Sequence, residues 1–255
     1  MSAIHPSAAK GFAKEAETYR RGRPDYPDAV DGWLRDDLGL KSGRCAVDLG
    51  AGTGKFTRRL VATGATVIAV EPVAEMLGQL KAAVPEAQPR IGNAENIPLG
   101  DETVDVVVCA QAFHWFAGEQ TLQEVHRVLK PGGQLGLIWN VRGYATPWVA
   151  ALTTIMAPYE ADVPRYHTGR WRACFPAAGF GDLHESIFTH GHTGPPEQVI
   201  VDRILSVSFI AALPSKIQTA VADEIRALIA RTPELSGRAE VTFPYETTAY
   251  RCAKQ

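Results

Sequence analysis

The chain has 255 residues, 45% of them hydrophobic, and its 26 basic and 28 acidic side chains leave a formal net charge of −2. That composition supplies a packed core for one large α/β domain, with or without an insertion, and excludes a disordered chain. Charge this balanced supplies no field to gather nucleic acid, so no nucleic-acid partner is expected. The four cysteines, Cys45, Cys109, Cys174 and Cys252, are far apart and lack metal-ligand spacing, so no metal is expected. Cys45 and Cys109 lie in apolar runs and read as buried thiols. Residues 1–10 hold no apolar stretch long enough for a signal peptide. No run reaches membrane-spanning length, so a cytoplasmic protein with no membrane contact is the expectation.

In chain order, the first elements are a helix from Gly11 and a second helix after Pro27. Pro27 suits a first helical turn, and Val30, Trp33, Leu34 and Leu38 form the apolar stripe that follows. Between the helices lies Tyr19-Arg20-Arg21-Gly22-Arg23-Pro24-Asp25-Tyr26-Pro27, either a solvated surface segment or a lid. Next comes Cys45-Ala46-Val47-Asp48-Leu49-Gly50-Ala51-Gly52-Thr53-Gly54-Lys55-Phe56. A short buried strand ends in glycines at alternate positions and gives way to helical spacing at Phe56, Leu60 and Val61. Strand, glycine turn and helix together bind nucleotide-like ligands. A P-loop needs glycine where Leu49 stands and Ser or Thr where Phe56 stands. A dinucleotide site needs its third glycine where Lys55 stands.

Asp-Leu-Gly-Ala-Gly-Thr-Gly resembles the first motif of the class I S-adenosylmethionine-dependent methyltransferases. In that family the turn passes under the methionine and ribose portions of the cofactor, which has no pyrophosphate to cradle. The next run, Ala65 to Pro72, reads as a second strand closed by Glu71. An acid there, roughly 20 residues past the turn, is placed to accept both ribose hydroxyls. A following helix carries Met76, Leu77 and Leu80. The resemblance gives Met76 a place against the adenine, although a methionine at helical spacing also fits plain core. Ala87 to Ile91 is a third strand leading to Gly92-Asn93-Ala94-Glu95. The family has Asp where this chain has Asn93; an amide carbonyl still accepts from the adenine amino group, without charge assistance. The backbone N–H of Ala94 is available to the adenine ring.

Asp105 to Ala110 is apolar on both faces and reads as a central fourth strand. Gln111-Ala112-Phe113-His114-Trp115-Phe116 follows, beyond the carboxyl end, where open α/β sheets react. His114 can deprotonate an acceptor hydroxyl or amine, or position an acceptor that needs no base. Trp115 offers an apolar wall or a cation–π face. Both also fit ordinary packing. This run, with Tyr19, Arg23-Pro24 and Tyr26-Pro27, resembles a small-molecule subgroup similar to trans-aconitate methyltransferases. There the N-terminal segment lies across the cofactor pocket, and an arginine fork suits the methionine carboxylate.

Thr121 to Leu129 is an amphipathic helix, Lys130-Pro131-Gly132-Gly133 reads as a structural turn, and Gln134 to Trp139 as the fifth strand. Ala145 to Pro164 is expected as a substrate-covering helix. His167, Arg170, Trp171, Arg172, Phe175 and Phe180 suit an organic-acid pocket or plain packing. Leu183 to His190 is a sixth strand, Val199 to Ala212 and Lys216 to Arg231 are helices, and Ala239 to Cys252 holds an antiparallel seventh strand. His184, His190 and His192 match no zinc motif and read as a surface strand.

The expected fold is thus α/β: a Rossmann-like, doubly wound, mostly parallel seven-stranded sheet with an antiparallel last strand and helical additions. The division is 1–40 as a helical lid segment, 41–140 as the cofactor-binding core, and 141–255 as completion of the sheet with substrate-covering insertions. The resemblance implies S-adenosyl-L-methionine as cofactor. Its expected contacts are Tyr19, Arg23, Asp48, Gly50, Ala51, Gly52, Glu71, Pro72, Met76, Asn93, Ala94, Glu95 and Gln111. His114 is the catalytic candidate, and His114 with Trp115 would meet a small-molecule acceptor. A protein or RNA methyltransferase is the nearest alternative, although no Asn-Pro-Pro-Tyr motif follows the fourth strand. A non-catalytic cofactor sensor is another, and a dehydrogenase ranks last on its glycine spacing. Oligomeric state is open.

Overall fold

A computed structural model describes residues 24–160 and 164–255. Helix α1 (Ala29–Gly32) runs directly into a π-helical turn (Trp33–Asp37), whose Trp33 and Leu34 are buried. Then β1 (Cys45–Leu49), α2 (Thr57–Ala62), β2 (Thr66–Glu71), α3 (Ala74–Ala83), β3 (Gln88–Ile91) and β4 (Val104–Ala110) follow one another. After a short 3₁₀ turn (Phe113–Trp115) come α4 (Glu119–Val128), β5 (Leu129–Arg142), α5 (Pro147–Met156) and β6 (His184–Gly194). Helices α6 (Arg203–Leu205), α7 (Ser208–Ala211) and α8 (Ser215–Arg231) precede β7 (Val241–Ala253).

The seven strands form one sheet in the order β3-β2-β1-β4-β5-β7-β6. β1 pairs in parallel with both β2 and β4, β2 with β3, and β4 with β5. The last strands run antiparallel, and the expected antiparallel seventh strand is among them. Succession leaves β1 toward β2 on one side and toward β4 on the other. The carboxyl ends of β1 and β4 therefore flank the switch point, where a doubly wound sheet opens a crevice. β4 is central because Val104 to Cys109 are all buried, which only a strand covered on both faces sustains.

Two compact units are present. One comprises 27–139, 164–188 and 247–255. In it, α3 turns Leu77 and Leu80 onto Ala51, Ala69, Val84 and Ala87. Helix α4 buries Leu122, Val125 and Val128 and leaves its charged face outward, the period-3.6 stripe read from the sequence. The other comprises 24–26, 140–160 and 189–246 of the described residues. Its core joins α5, through Trp148, Val149 and Leu152, to α8, through Val221, Ile225 and Leu228. Here the Trp148 ring meets Phe243 edge-on, Phe243 stacks on Tyr245, and the buried Arg203 donates to the Tyr245 hydroxyl at 3.0 Å.

Three local readings change. Lys130 to Gly133 is a bulge inside β5, not a turn before it: Val104 pairs with Leu129 but Val106 with Gln134, so four residues of β5 loop out opposite Asp105. The helix expected over Ala145 to Pro164 is α5 alone, followed by a 3₁₀ turn at Ala157–Tyr159, because Pro158 removes a helical N–H. Cys45 is only half-buried; it opens its strand, and its backbone N–H donates to Asp105.

Candidate functional site

The glycine turn sits at the carboxyl end of β1. Its register with β2 pairs Leu49 with Val70, so Gly50 stands level with Glu71. The N–H groups of Gly50 and Ala51 both donate to the Val70 carbonyl, at 2.9 and 3.2 Å. Gly50, Gly52 and Gly54 all adopt positive φ, at 75°, 56° and 86°. Only two of them are also packed. A Cβ at Gly50 would lie 2.8 Å from that of Ala112, and one at Gly54 would lie 2.9 Å from Leu80. A Cβ at Gly52 would meet nothing within 4 Å among the described residues. Gly50 and Gly54 therefore seat the turn, while the backbone at Gly52 borders space that no described residue fills.

Two buried acids frame that space. Glu71, the last residue of β2, accepts from the N–H of Gly52 at 3.0 Å and from that of Val73 at 3.1 Å. Burial pushes its carboxyl above the ordinary range, and the two N–H donors pull against that shift. Each oxygen keeps a lone pair beyond its backbone bond. Asp48 takes the hydroxyl of Thr57 on one oxygen at 2.6 Å. Its other oxygen, Oδ1, is buried without a hydrogen-bond partner. Complete burial moves Asp48 up to about 7, opposed by the Thr57 bond and reinforced by the charge of Glu71. Neither acid has an ion-pair partner among the described residues. Leaving two carboxyl groups so incompletely satisfied costs stability, and such groups concentrate where a ligand completes them.

The third wall follows β3. Ile91 pairs with Glu71, so Asn93 and Ala94 emerge at the same end of the sheet. The Asn93 side-chain oxygen accepts the Glu95 N–H at 3.1 Å, which fixes the amide while leaving it exposed. Helix α4 anchors this loop: Glu124 accepts the Ile97 N–H, and Arg127 donates to the carbonyls of Ile97 and Leu99. Pro72 and Met76 are half-buried, just past Glu71.

Beyond β4, Gln111 has φ 58°, the left-handed region, and its N–H donates to Ile138 at 2.8 Å. A side chain held there stores strain of about 1–3 kcal/mol, a feature that clusters at functional sites. His114 and Trp115 lie in the 3₁₀ turn, both half-buried, with ring centres 5.1 Å apart. The indole N–H of Trp139 donates to His114 Nδ1 at 3.0 Å.

Asp48, Gly50, Ala51, Gly52, Glu71 and Gln111 thus converge on the carboxyl edge of the parallel strands, with Asn93, Ala94 and Glu95 on the adjoining loop. Tyr19 and Arg23 lie outside the described residues. Trp171 and Arg172 belong to a packed aromatic group, while Phe180 lies instead edge-on to His126. Sequence reasoning missed Thr57 and Trp139. For Trp139 a signal existed, since a buried indole N–H requires an acceptor.

Comparison with known proteins gives the family and the fold. A family model described as "Methyltransferase domain" matches residues 47–137. An uncharacterized methyltransferase-like protein of Schizosaccharomyces pombe is 36% identical over 247 residues, 96% of each chain. The structure of a putative type II methyltransferase from Anaeromyxobacter dehalogenans has the same fold. Its TM-score is 0.69 at 22% identity, over 91% of this chain and 97% of that one. A phosphoethanolamine N-methyltransferase from Haemonchus contortus, solved with S-adenosyl-L-methionine, matches at TM-score 0.55 and 14% identity, over 99% of this chain and 58% of that one. The chain belongs to the class I S-adenosylmethionine-dependent methyltransferases. Its cofactor is S-adenosyl-L-methionine, and the open ground over Gly52, the accepting oxygens of Glu71 and the unpartnered Asp48 Oδ1 fit that group. Among the described residues, no helix is long and apolar enough to cross a membrane.

Proposed function

We propose that the acceptor is a small molecule, methylated in a cytoplasmic reaction at the carboxyl end of β4. The observation that carries this reading is the half-buried His114, held by Trp139 in a short turn immediately past that strand. A ring set this far back among aromatic side chains suits a compact acceptor. The net charge of −2 offers no attraction to a nucleic acid. The likeness of the Phe113-His114-Trp115 run to the trans-aconitate methyltransferases favours the same class.

In this reading Glu71 holds the ribose hydroxyls, Asn93 and Ala94 the adenine edge, and Met76 its face. Pro72 and Glu95 border them, and Asp48, Gly50, Ala51, Gly52 and Gln111 line the methionine and ribose side. Residues 1–40, through Tyr19 and Arg23, serve as the lid; 41–140 hold the cofactor; 141–255 complete the sheet and cover the substrate. When bound, the cofactor supplies a methyl group already activated by its sulfonium. The protein's task is therefore mostly proximity and alignment, with His114 and Trp115 meeting the acceptor.

The test is turnover of methyl-labelled cofactor against a panel of acids, phenols and amines, beside a total protein extract and total RNA. Label appearing in a small molecule supports the reading. Label entering only protein or RNA would replace it, and tight cofactor binding with no transfer anywhere would make the chain a sensor.

A further inference from the structure

The site has a second layer that the methyltransferase reading leaves unassigned. Trp139 ends the parallel course of β5 and is 1% exposed. Its indole N–H can only donate, and it donates to His114 Nδ1. A nitrogen that accepts an N–H must present a lone pair. In a neutral imidazole the ring proton then belongs to Nε2. Protonating Nδ1 as well would set two N–H groups against each other and strand a buried indole donor.

The indole has little freedom to release this bond. Its ring centre lies 4.8 Å from that of Trp171 and 4.9 Å from that of Tyr166. Trp171 is itself tied, its own N–H donating to the Tyr166 carbonyl at 3.2 Å. The Tyr166 and Tyr250 hydroxyls bond at 2.9 Å, and Tyr250 also donates to Glu185. The Arg172 guanidinium spans the Trp171 and Tyr250 rings at 4.9 and 4.6 Å. Many partners thus determine the indole's orientation, and the indole determines the histidine's tautomer.

We propose that Trp139 is a positioning residue that locks His114 as the Nε2–H tautomer, so that His114 meets the methyl acceptor as a hydrogen-bond donor rather than as a base. This rests on the reading of the β4 end as the acceptor site. A neutral histidine with its proton on Nε2 has no lone pair there to receive another. It can orient an acceptor's electron-rich atom toward the methyl group, and any proton the acceptor loses goes elsewhere.

Nitrogen NMR of histidine-labelled protein saturated with S-adenosylhomocysteine tests the lock without knowledge of the acceptor. The His114→Gln spectrum identifies the His114 signals by their loss. In the wild type, Nδ1 should give the unprotonated, pyridine-like signal and Nε2 the protonated, pyrrole-like one. Neutral histidine favours Nε2–H modestly even in water, so Trp139→Phe should reduce the preference to that bias, with both nitrogen signals moving to averaged positions between the two limits. A wild-type ring protonated on Nδ1, or unchanged nitrogen signals in Trp139→Phe, would overturn the proposal. If Trp139→Phe fails to fold, the wild-type spectrum still decides.

Turnover gives a second readout with the acceptor found in the panel. Gln can accept from Trp139 and donate onward, but it cannot act as a base. His114→Gln should therefore stay within about tenfold of the wild type, while His114→Ala falls by about a hundredfold. Equal loss in both variants would overturn the donor role. Calorimetry separates the layers: wild-type protein that binds no S-adenosylhomocysteine refutes the cofactor reading, whereas a wrong tautomer with binding intact refutes only this one.

Discussion

The parallel strands carry buried acids at both ends, and the two ends treat them oppositely. At the amino end, Asp105 accepts from the backbone N–H of Cys45 and pairs with Arg44 at 2.8 Å and Lys130 at 3.2 Å. Although desolvation opposes it, that company holds the carboxyl below its ordinary range. At the carboxyl end, among the described residues, Glu71 has only two backbone N–H groups, Asp48 has one hydroxyl and an oxygen without a partner, and burial raises both. An acid fully answered by protein is a joint in the fold. An acid left short can be completed by a ligand, and this contrast is what supports the proposed site at the carboxyl end of the sheet.

Gly52→Val attacks the contrast hardest. A side chain in the left-handed region costs about 1–2 kcal/mol of stability. The fold should tolerate that loss, since the added Cβ meets no atom of the described residues. Cofactor binding should disappear because the side chain occupies the ligand's ground. Thermal unfolding and calorimetry on one sample separate the two effects.

The acids should also give opposite pH signatures. Asp48 is raised to about 7, from about 3.9 in an unfolded chain. Between those values the native protein holds a proton that the unfolded chain has released, so stability falls as pH rises from about 4 to 7, then levels. The span is worth on the order of 4 kcal/mol. Asp48→Asn should flatten this slope in denaturant unfolding of the free protein. Asp105 works the other way: its contribution stands above the unfolded pKa and is lost as pH falls through its depressed native value. Asp105→Asn should remove that acid limb alone.

A smaller effect sharpens the ligand side. Asn93→Asp would keep the bond from the Glu95 N–H and add charge to the acceptor oxygen. Cofactor affinity should rise by about three- to tenfold, measured by calorimetry at neutral pH.

The alternation of elements, the glycine turn and Glu71 were readable because each is a local pattern with one physical cause: burial period, positive φ, or an acid closing a strand. Other features depend on partners distant in sequence. Asp48 and Asp105 are the same residue type inside apolar runs, and what separates their roles is the company of the Cys45 N–H, Arg44 and Lys130 at Asp105. The loop-out of Lys130 to Gly133 follows from register with β4, which no window of β5 contains. Gln111 gives no warning of its φ, since glycine would be the expected residue there. Trp139 reads as strand core, and its bond to His114 spans 25 residues.

The most direct test of the central claim is calorimetric titration of S-adenosyl-L-methionine into Glu71→Ala and Asp105→Asn side by side. Hydrogen bonds to a charged acceptor are worth about 1.5–3 kcal/mol each. Glu71→Ala should therefore weaken binding by about tenfold or more while staying folded. Asp105→Asn should lose stability and keep the wild-type dissociation constant. Unchanged affinity in a folded Glu71→Ala, or equal losses of affinity in both variants, would contradict the account.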